Sequence, residues 1–204
     1  GAARIARTLD ANQALDAFES DLRLHVAEAA RGRVFVHAGV VGWRGRAIVL
    51  PGRSFSGKSR LVAALLRAGA SYYSDEYAVL DGHGRVHPFP APLSIRGAAT
   101  GERPLKCPLE ALPGPVGTKP LPLGLVVVSE YRAGARWRPR PLSLGQGLLA
   151  LLAHTVPARS RPAEVLEALR RAVDGAPVLR GKRGEAEEVA PALLACVSAG
   201  SRRE

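Results

Sequence analysis

The sequence predicts an α/β domain with a mixed β-sheet core, flanking helices and a helical C-terminal tail. Three observations predict it. Strand and helix patterns alternate through the first half. A glycine-rich turn, Gly52-Arg-Ser-Phe-Ser-Gly-Lys-Ser59, stands directly between an apolar strand and an amphipathic helix. Leu123-Gly-Leu-Val-Val-Val-Ser129 is a near-continuous apolar run, as a central strand covered on both faces requires.

The elements follow in order. Asp10 can cap a helix running to about Arg31, with Leu15, Phe18, Leu22 and Val26 on one apolar face. This helix either packs on the domain or serves as an interaction helix. Arg33 to Val41 is rich in β-branched residues, Gly42 to Gly45 reads as a turn, and Arg46 to Leu50 as a buried strand. Leu61, Val62, Leu65 and Leu66 place a helix over Lys58 to about Ala68, closed by Gly69. Ser71 to Leu80 reads as one strand interrupted by polar residues, Asp81-Gly-His-Gly84 as a hairpin turn, and Arg85 to Phe89 as the returning strand. From Pro88 to Pro122, Pro and Gly dominate and periodicity is weak, so a long loop over the site is expected. Beyond the apolar run, helices are expected over about Ser143 to Thr155, Pro162 to Val173 and Glu185 to Val197. The organisation read from this is a helix over 1–32 packed on the core, a core over 33–142, and a helical region of the same domain over 143–204.

Composition bounds the function only loosely. The 204 residues carry a formal net charge of +11, which calls for an anionic partner: nucleotide phosphates, an acidic peptide, nucleic acid or a membrane surface. Arginine supplies 25 of the 29 basic residues, so part of that charge reflects a bias in residue usage. Cys107 and Cys196 stand in no ligand-spaced motif, which argues against zinc and a disulfide framework. No apolar run reaches membrane-spanning length. A reduced, cytoplasmic protein is the expectation.

The chemistry sits in the glycine-rich turn, which fits G-x-x-x-x-G-K-[ST] at every fixed position. Glycines let the backbone wrap a phosphate, successive N–H groups form an anion nest, and the following helix offers its positive dipole end. Gly52, Arg53, Ser54, Phe55, Ser56, Gly57, Lys58, Ser59 and Arg60 are therefore the expected nucleotide-binding residues, with ATP and Mg²⁺ as cofactors. Lys58 would reach the β- and γ-phosphates, and the Ser59 hydroxyl the metal. In a chain that uses Arg almost everywhere, Lys at this position is itself informative, because a guanidinium replaces an ammonium poorly there.

Asp75-Glu76 follows one short loop after that helix. Acids at the end of a strand beside the phosphate turn can hold Mg²⁺ or act as a base; a solvated pair at a strand edge is the alternative. His37 and Arg96 taken alone read as a structural histidine and a surface arginine. Glu130 ends the apolar run, where it either resembles a metal-binding acid or is merely solvated. The segment Arg132-Ala-Gly-Ala-Arg-Trp-Arg-Pro-Arg140 either binds anions or RNA or is a solvated loop.

Together these residues resemble the catalytic domain of HPr kinase/phosphorylase, a P-loop fold related to phosphoenolpyruvate carboxykinase. The likeness runs from about Val36 to Gly97, through Val36-His-Ala-Gly39, Gly52–Ser59, Leu66-Arg-Ala-Gly69, Ser74-Asp-Glu76 and Ser94-Ile-Arg-Gly97. The resemblance implies Asp75 as the base on the acceptor hydroxyl, Glu76 and Ser59 near the metal, and Lys58 on the phosphates. It places His37 close to the phosphates and makes Arg96 a phosphate-contacting arginine. Ser94 stands where that family has a metal-binding Glu, and Arg60 where it has an acid. The implied activity is an ATP-dependent, Mg-requiring serine kinase acting on a protein or peptide, including ribosomally made peptide precursors. Membrane and nucleic acid are not the expected partners, and a homo-oligomer stays open. The alternatives are a nucleotide-binding regulator without transfer activity and a small-molecule kinase on the same fold.

Overall fold

The computed structural model describes residues 7–52, 56–95 and 105–200, the last three as backbone only. The chain opens with α1 (Ala11–Ala29), whose Asp10 carboxylate accepts from the Asn12 and Gln13 amides as the sequence led one to expect. Strands β1 (Arg33–Trp43) and β2 (Arg46–Pro51) form a hairpin, with Arg44 and Gly45 at positive φ in the turn. Helix α2 (Lys58–Arg67) follows the glycine-rich turn. Then come β3 (Ser71–Ser74), β4 (Tyr77–Asp81) and β5 (Arg85–His87). Two short strands, β6 (Leu93–Ile95) and β7 (Leu105–Cys107), pair as a separate ribbon in the stretch expected to be only loop. The remainder is β8 (Leu121–Tyr131), β9 (Arg140–Pro141), α3 (Leu144–Leu152), α4 (Pro162–Val173), β10 (Val178–Arg183) and α5 (Ala186–Gly200).

The sheet is mixed: β2–β8 and β8–β10 run parallel and its other pairings are antiparallel. Alternation along the strands sends one set of side chains to each face. Ile48, Leu50, Leu125 and Val127 pack with Leu61, Val62, Leu65 and Leu66 of α2 and with Ala190 and Leu193 of α5. Val40, Ala47, Val49 and Val126 pack with Leu151 of α3 and with Val165 and Leu169 of α4. Each such fully buried aliphatic contributes about 1.5–3 kcal/mol, so α2 is held by its core face rather than by intrinsic propensity.

Strand β1 creates the site. Its first half, Arg33–His37, pairs with β4, and its second half, from Ala38, pairs with β2 and β3. The Ser71–Leu80 segment, expected as one interrupted strand, therefore lies along the whole of β1 in two pieces. The break has a local cause. The buried Ser74 hydroxyl accepts from the amides of Glu76 and Tyr77, which turns the chain at Asp75-Glu76.

The C-terminal third departs most from expectation. It is helical in α3, α4 and α5 at the places expected, and Ser143 and Gln146 form a capping box on α3. But β10 is a strand of the main sheet, parallel to β8, so this region is no purely helical tail. Helix α1 buries only Ala27. Leu15, Phe18, Leu22 and Val26, the face read as apolar, remain exposed. Polar ties fix it instead: Arg23 to Glu76, Lys106 to Asp16, and Arg161 to the carbonyls of Glu28 and Ala30. Among the described residues no helix is long and apolar enough to cross a membrane.

Candidate phosphate-binding site

Three parallel strands, β2, β8 and β10, end on the same side of the sheet, at Pro51, Tyr131 and Arg183. Open α/β sheets bind ligands just beyond such strand ends, and here the glycine-rich turn leaves β2. Gly57 caps α2 in the left-handed conformation (φ 80°), where a side chain would be strained. No side chain caps the helix. The first N–H groups of a helix have no intrahelical acceptor, so an uncapped N-terminus suits an anion.

The Lys58 ammonium reaches back to the end of β2 and donates to the Gly52 carbonyl at 2.8 Å. The Ser59 hydroxyl donates to Asp75 Oδ2 at 2.7 Å. The bend at Asp75-Glu76 lies beside His37, because the Ala38 amide donates to the Glu76 carbonyl and the Gly52 amide to the His37 carbonyl. Asp75, Lys58, Ser59, Gly52 and His37, far apart in sequence, are thus one cluster. Arg53, Ser54, Phe55 and Arg96 lie outside the described residues.

Electrostatics follows from partial burial. Burial raises the Asp75 carboxyl to about 6, against the opposing pull of the Ser59 hydroxyl, the Ser94 backbone and Lys58. Burial also lowers Lys58, with Asp75 opposing. His37 is lowered by burial and then by the Lys58 ammonium, which favours a neutral imidazole. Glu76 is raised by burial and restrained by Arg23, whose guanidinium lies 3.1 Å from Glu76 Oε2. Of the two acids, Asp75 bonds Ser59 at the start of α2 and Glu76 is engaged by α1.

The residues fit a phosphate chain and its cation. A Cβ on Gly52 would stand 2.8 Å from Ser56 Oγ, so the turn is tight around that point. Ser56 Oγ, Asp75 Oδ1 and His37 Nδ1 are buried without hydrogen-bond partners, and such groups are costly unless something satisfies them. Among the described residues no cluster of three or more His, Cys, Asp or Glu could hold a metal unaided. A cation here would share its shell between Ser59, an acid and phosphate oxygens, the usual habit of Mg²⁺.

One residue escaped the sequence. Arg183, at the end of β10, is 2% exposed. Its Nη2 donates to the Gly57 carbonyl at 2.8 Å and its Nη1 to the Gly184 carbonyl at 3.1 Å. It also lies 5.6 Å from the centroid of the Tyr131 ring. Only the parallel pairing of β10 with β8, which sets Arg183 beside Tyr131, brings it here. Glu130 is exposed and in register with Lys182, while Arg140 of the basic segment forms edge strand β9 opposite Arg180.

No protein-family model matches the chain, and no curated protein matches it. Among solved structures it is similar to the Hpr(Ser) kinase/phosphatase from Coxiella burnetii, at 14% identity and a TM-score of 0.43, over 83% of this chain and 97% of that one.

Proposed function

We propose that this protein is an ATP-dependent kinase that phosphorylates a serine hydroxyl of a protein or peptide. The observation that carries the reading is the 2.7 Å hydrogen bond from Ser59 to Asp75 at the uncapped start of α2. It sets a carboxylate of raised pKa against the turn that would hold the phosphates. The main-chain amides of the turn and Lys58 bind and orient the phosphate chain, Lys58 exchanging the Gly52 carbonyl for phosphate oxygens. Mg²⁺, when bound at Ser59 with Glu76 or Asp75 nearby, supplies neutralisation of phosphate charge.

Asp75 accepts the proton of the serine hydroxyl as its oxygen bonds to the γ-phosphorus, and the bond from that phosphorus to the bridging oxygen breaks to leave ADP. A pKa near 6 suits this step: the carboxylate is mostly ionised at neutral pH yet basic enough to take a proton. His37, kept neutral, offers the phosphates a hydrogen bond without a further charge.

Incubation with γ-labelled ATP and serine peptides tests the reading. Asp75→Asn should keep nucleotide binding and lose transfer, and Lys58→Ala should lose both. Transfer at the normal rate by Asp75→Asn would refute the base assignment. One observation favours a second reading. With Glu76 tied to Arg23 and Ser94 carrying no charge, Asp75 is the one carboxylate among the described residues that bonds Ser59. A nucleotide-binding regulator needs no more than that, and it would bind ATP and label nothing.

A further inference from the structure

We propose that the cavity beside Gly57 holds the nucleoside of the nucleotide whose phosphates the 52–59 turn would take; this rests on the reading above. The cavity has a volume of about 420 Å³, and Gly57, Arg60, Ala63, Tyr131, Arg183 and Glu185 are among its lining residues. That volume falls within the roughly 300–1,000 Å³ of small-molecule sites.

Its position decides what it can take. At 100° per residue, Arg60, Ala63 and Arg67 share one face of α2, adjacent to the face that Ser59 turns toward Asp75. The cavity and the acid therefore flank the same helix start on neighbouring sides. Neither Asp75 nor His37 lines it, so an acceptor hydroxyl placed there would not meet the base. Gly57, however, is both the last glycine of the turn and part of the cavity wall, so a phosphate chain held by the turn has a direct path into it.

The walls suit a nucleoside. Ala63, Ile95 and Ala186 give an apolar side, and the Tyr131 ring, 45% exposed, gives a flat one. The Tyr131 hydroxyl donates to Glu185 Oε1 at 2.8 Å, which fixes a carboxylate that can accept from ribose hydroxyls or a base amino group. Arg183 braces the same wall. Its Nε is buried without a partner, and its guanidinium stacks over the Tyr131 ring.

Calorimetric titration of the full chain with ADP and with pyrophosphate, both with Mg²⁺, tests this, because the two ligands share phosphates and differ by the nucleoside. Tyr131→Ala and Glu185→Ala change exposed side chains. Pyrophosphate binding reports whether the turn survives, Glu185→Ala spares the Tyr131 ring that packs on Arg183, and a melting curve checks each fold. Loss of a stacking surface should weaken ADP about tenfold or more and leave pyrophosphate unchanged. If the wild type binds both ligands and neither variant affects ADP, or ADP and pyrophosphate fall together, the cavity is not the nucleoside site while the phosphate turn stands. If the wild type binds neither ligand, the phosphate reading itself fails and takes this one with it.

Discussion

The two flanks of the α2 N-terminus are built on different principles. On the Asp75 flank every important group titrates or exchanges partners: Asp75 is raised toward neutrality, Lys58 and His37 are lowered, and Lys58 and Ser59 bond to groups of the cluster itself. On the Arg183 flank the central group is a guanidinium that stays charged, locked by two backbone carbonyls. The first flank is suited to moving a proton, the second to holding a shape. The kinase proposed above, which would release a product and still keep its turn in register, needs both.

The sharpest way to break this comparison is to remove the titrating carboxylate. Asp75→Asn keeps the volume and deletes the base, so transfer to a serine peptide should fall by about 10²–10⁴-fold, with ADP affinity nearly unchanged. Equal losses in binding and transfer would make Asp75 a binding group, and the flanks would no longer differ in kind.

The fixed flank yields to Arg183→Leu. The Gly57 carbonyl would keep the Leu61 amide and lose its charged donor, a cost of about 1–3 kcal/mol, readable in a denaturant titration. Because Gly57 closes the turn, ADP and pyrophosphate should weaken together, unlike the Tyr131 variant, which should affect ADP alone. Unchanged stability with unchanged pyrophosphate binding would show that Arg183 does not brace the turn.

The two flanks also differ in how far the sequence revealed them. The glycine-rich turn and Asp75 stood out because their signals are local: fixed glycine spacing, one lysine in an arginine-rich chain, two acids inside a strand pattern. His37, which alone reads as structural, entered only through the family resemblance. The hairpin turns, the α1 cap and the apolar β8 were legible for the same reason. Arg183 was not. Its strand, Val178-Leu-Arg-Gly-Lys-Arg183, has two exposed cations and a glycine, and reads as loop. The strand needs Gly181 because Trp137 packs over it, with a ring atom 3.0 Å from where a Cβ would stand. That packing is tertiary and leaves no trace in the local pattern. The same holds for the β6–β7 ribbon, where pairing replaces the periodicity of a longer strand.

A smaller effect separates the flanks by pH. The folded pKa of Asp75, about 6, lies above its ordinary value of 3.8. The native state therefore binds this proton more tightly than the unfolded chain does. The stability it contributes is present below about pH 4 and is lost as pH rises through 6. The shift sets a ceiling of about 3 kcal/mol, and solvent access lowers the expectation to about 1–2 kcal/mol. Asp75→Asn should thus melt higher than the wild type at pH 8 and lose that advantage near pH 4. The reverse trend would mean that the ionised carboxylate is the better-held form. Transfer by the wild type should in turn fall on acidification with a midpoint near 6.

The smallest effect lies where α1 meets the site. Arg23 is the only part of α1 bonded to Glu76 among the described residues, and the pair is partly exposed, so it is worth well under 1 kcal/mol. Arg23→Leu should leave melting nearly unchanged. Its consequence is electrostatic: Arg23 holds down a carboxyl that burial raises, so removing it lets the Glu76 pKa rise further. If Glu76 helps to hold Mg²⁺, the variant should show a pH-dependent change in Mg²⁺ requirement that grows toward acid pH, because its carboxyl takes up a proton before that of the wild type. If Glu76 only anchors α1, Mg²⁺ titrations of the two proteins should superimpose at every pH. The same measurement tells whether α1 reports on the Asp75 flank or merely rests beside it.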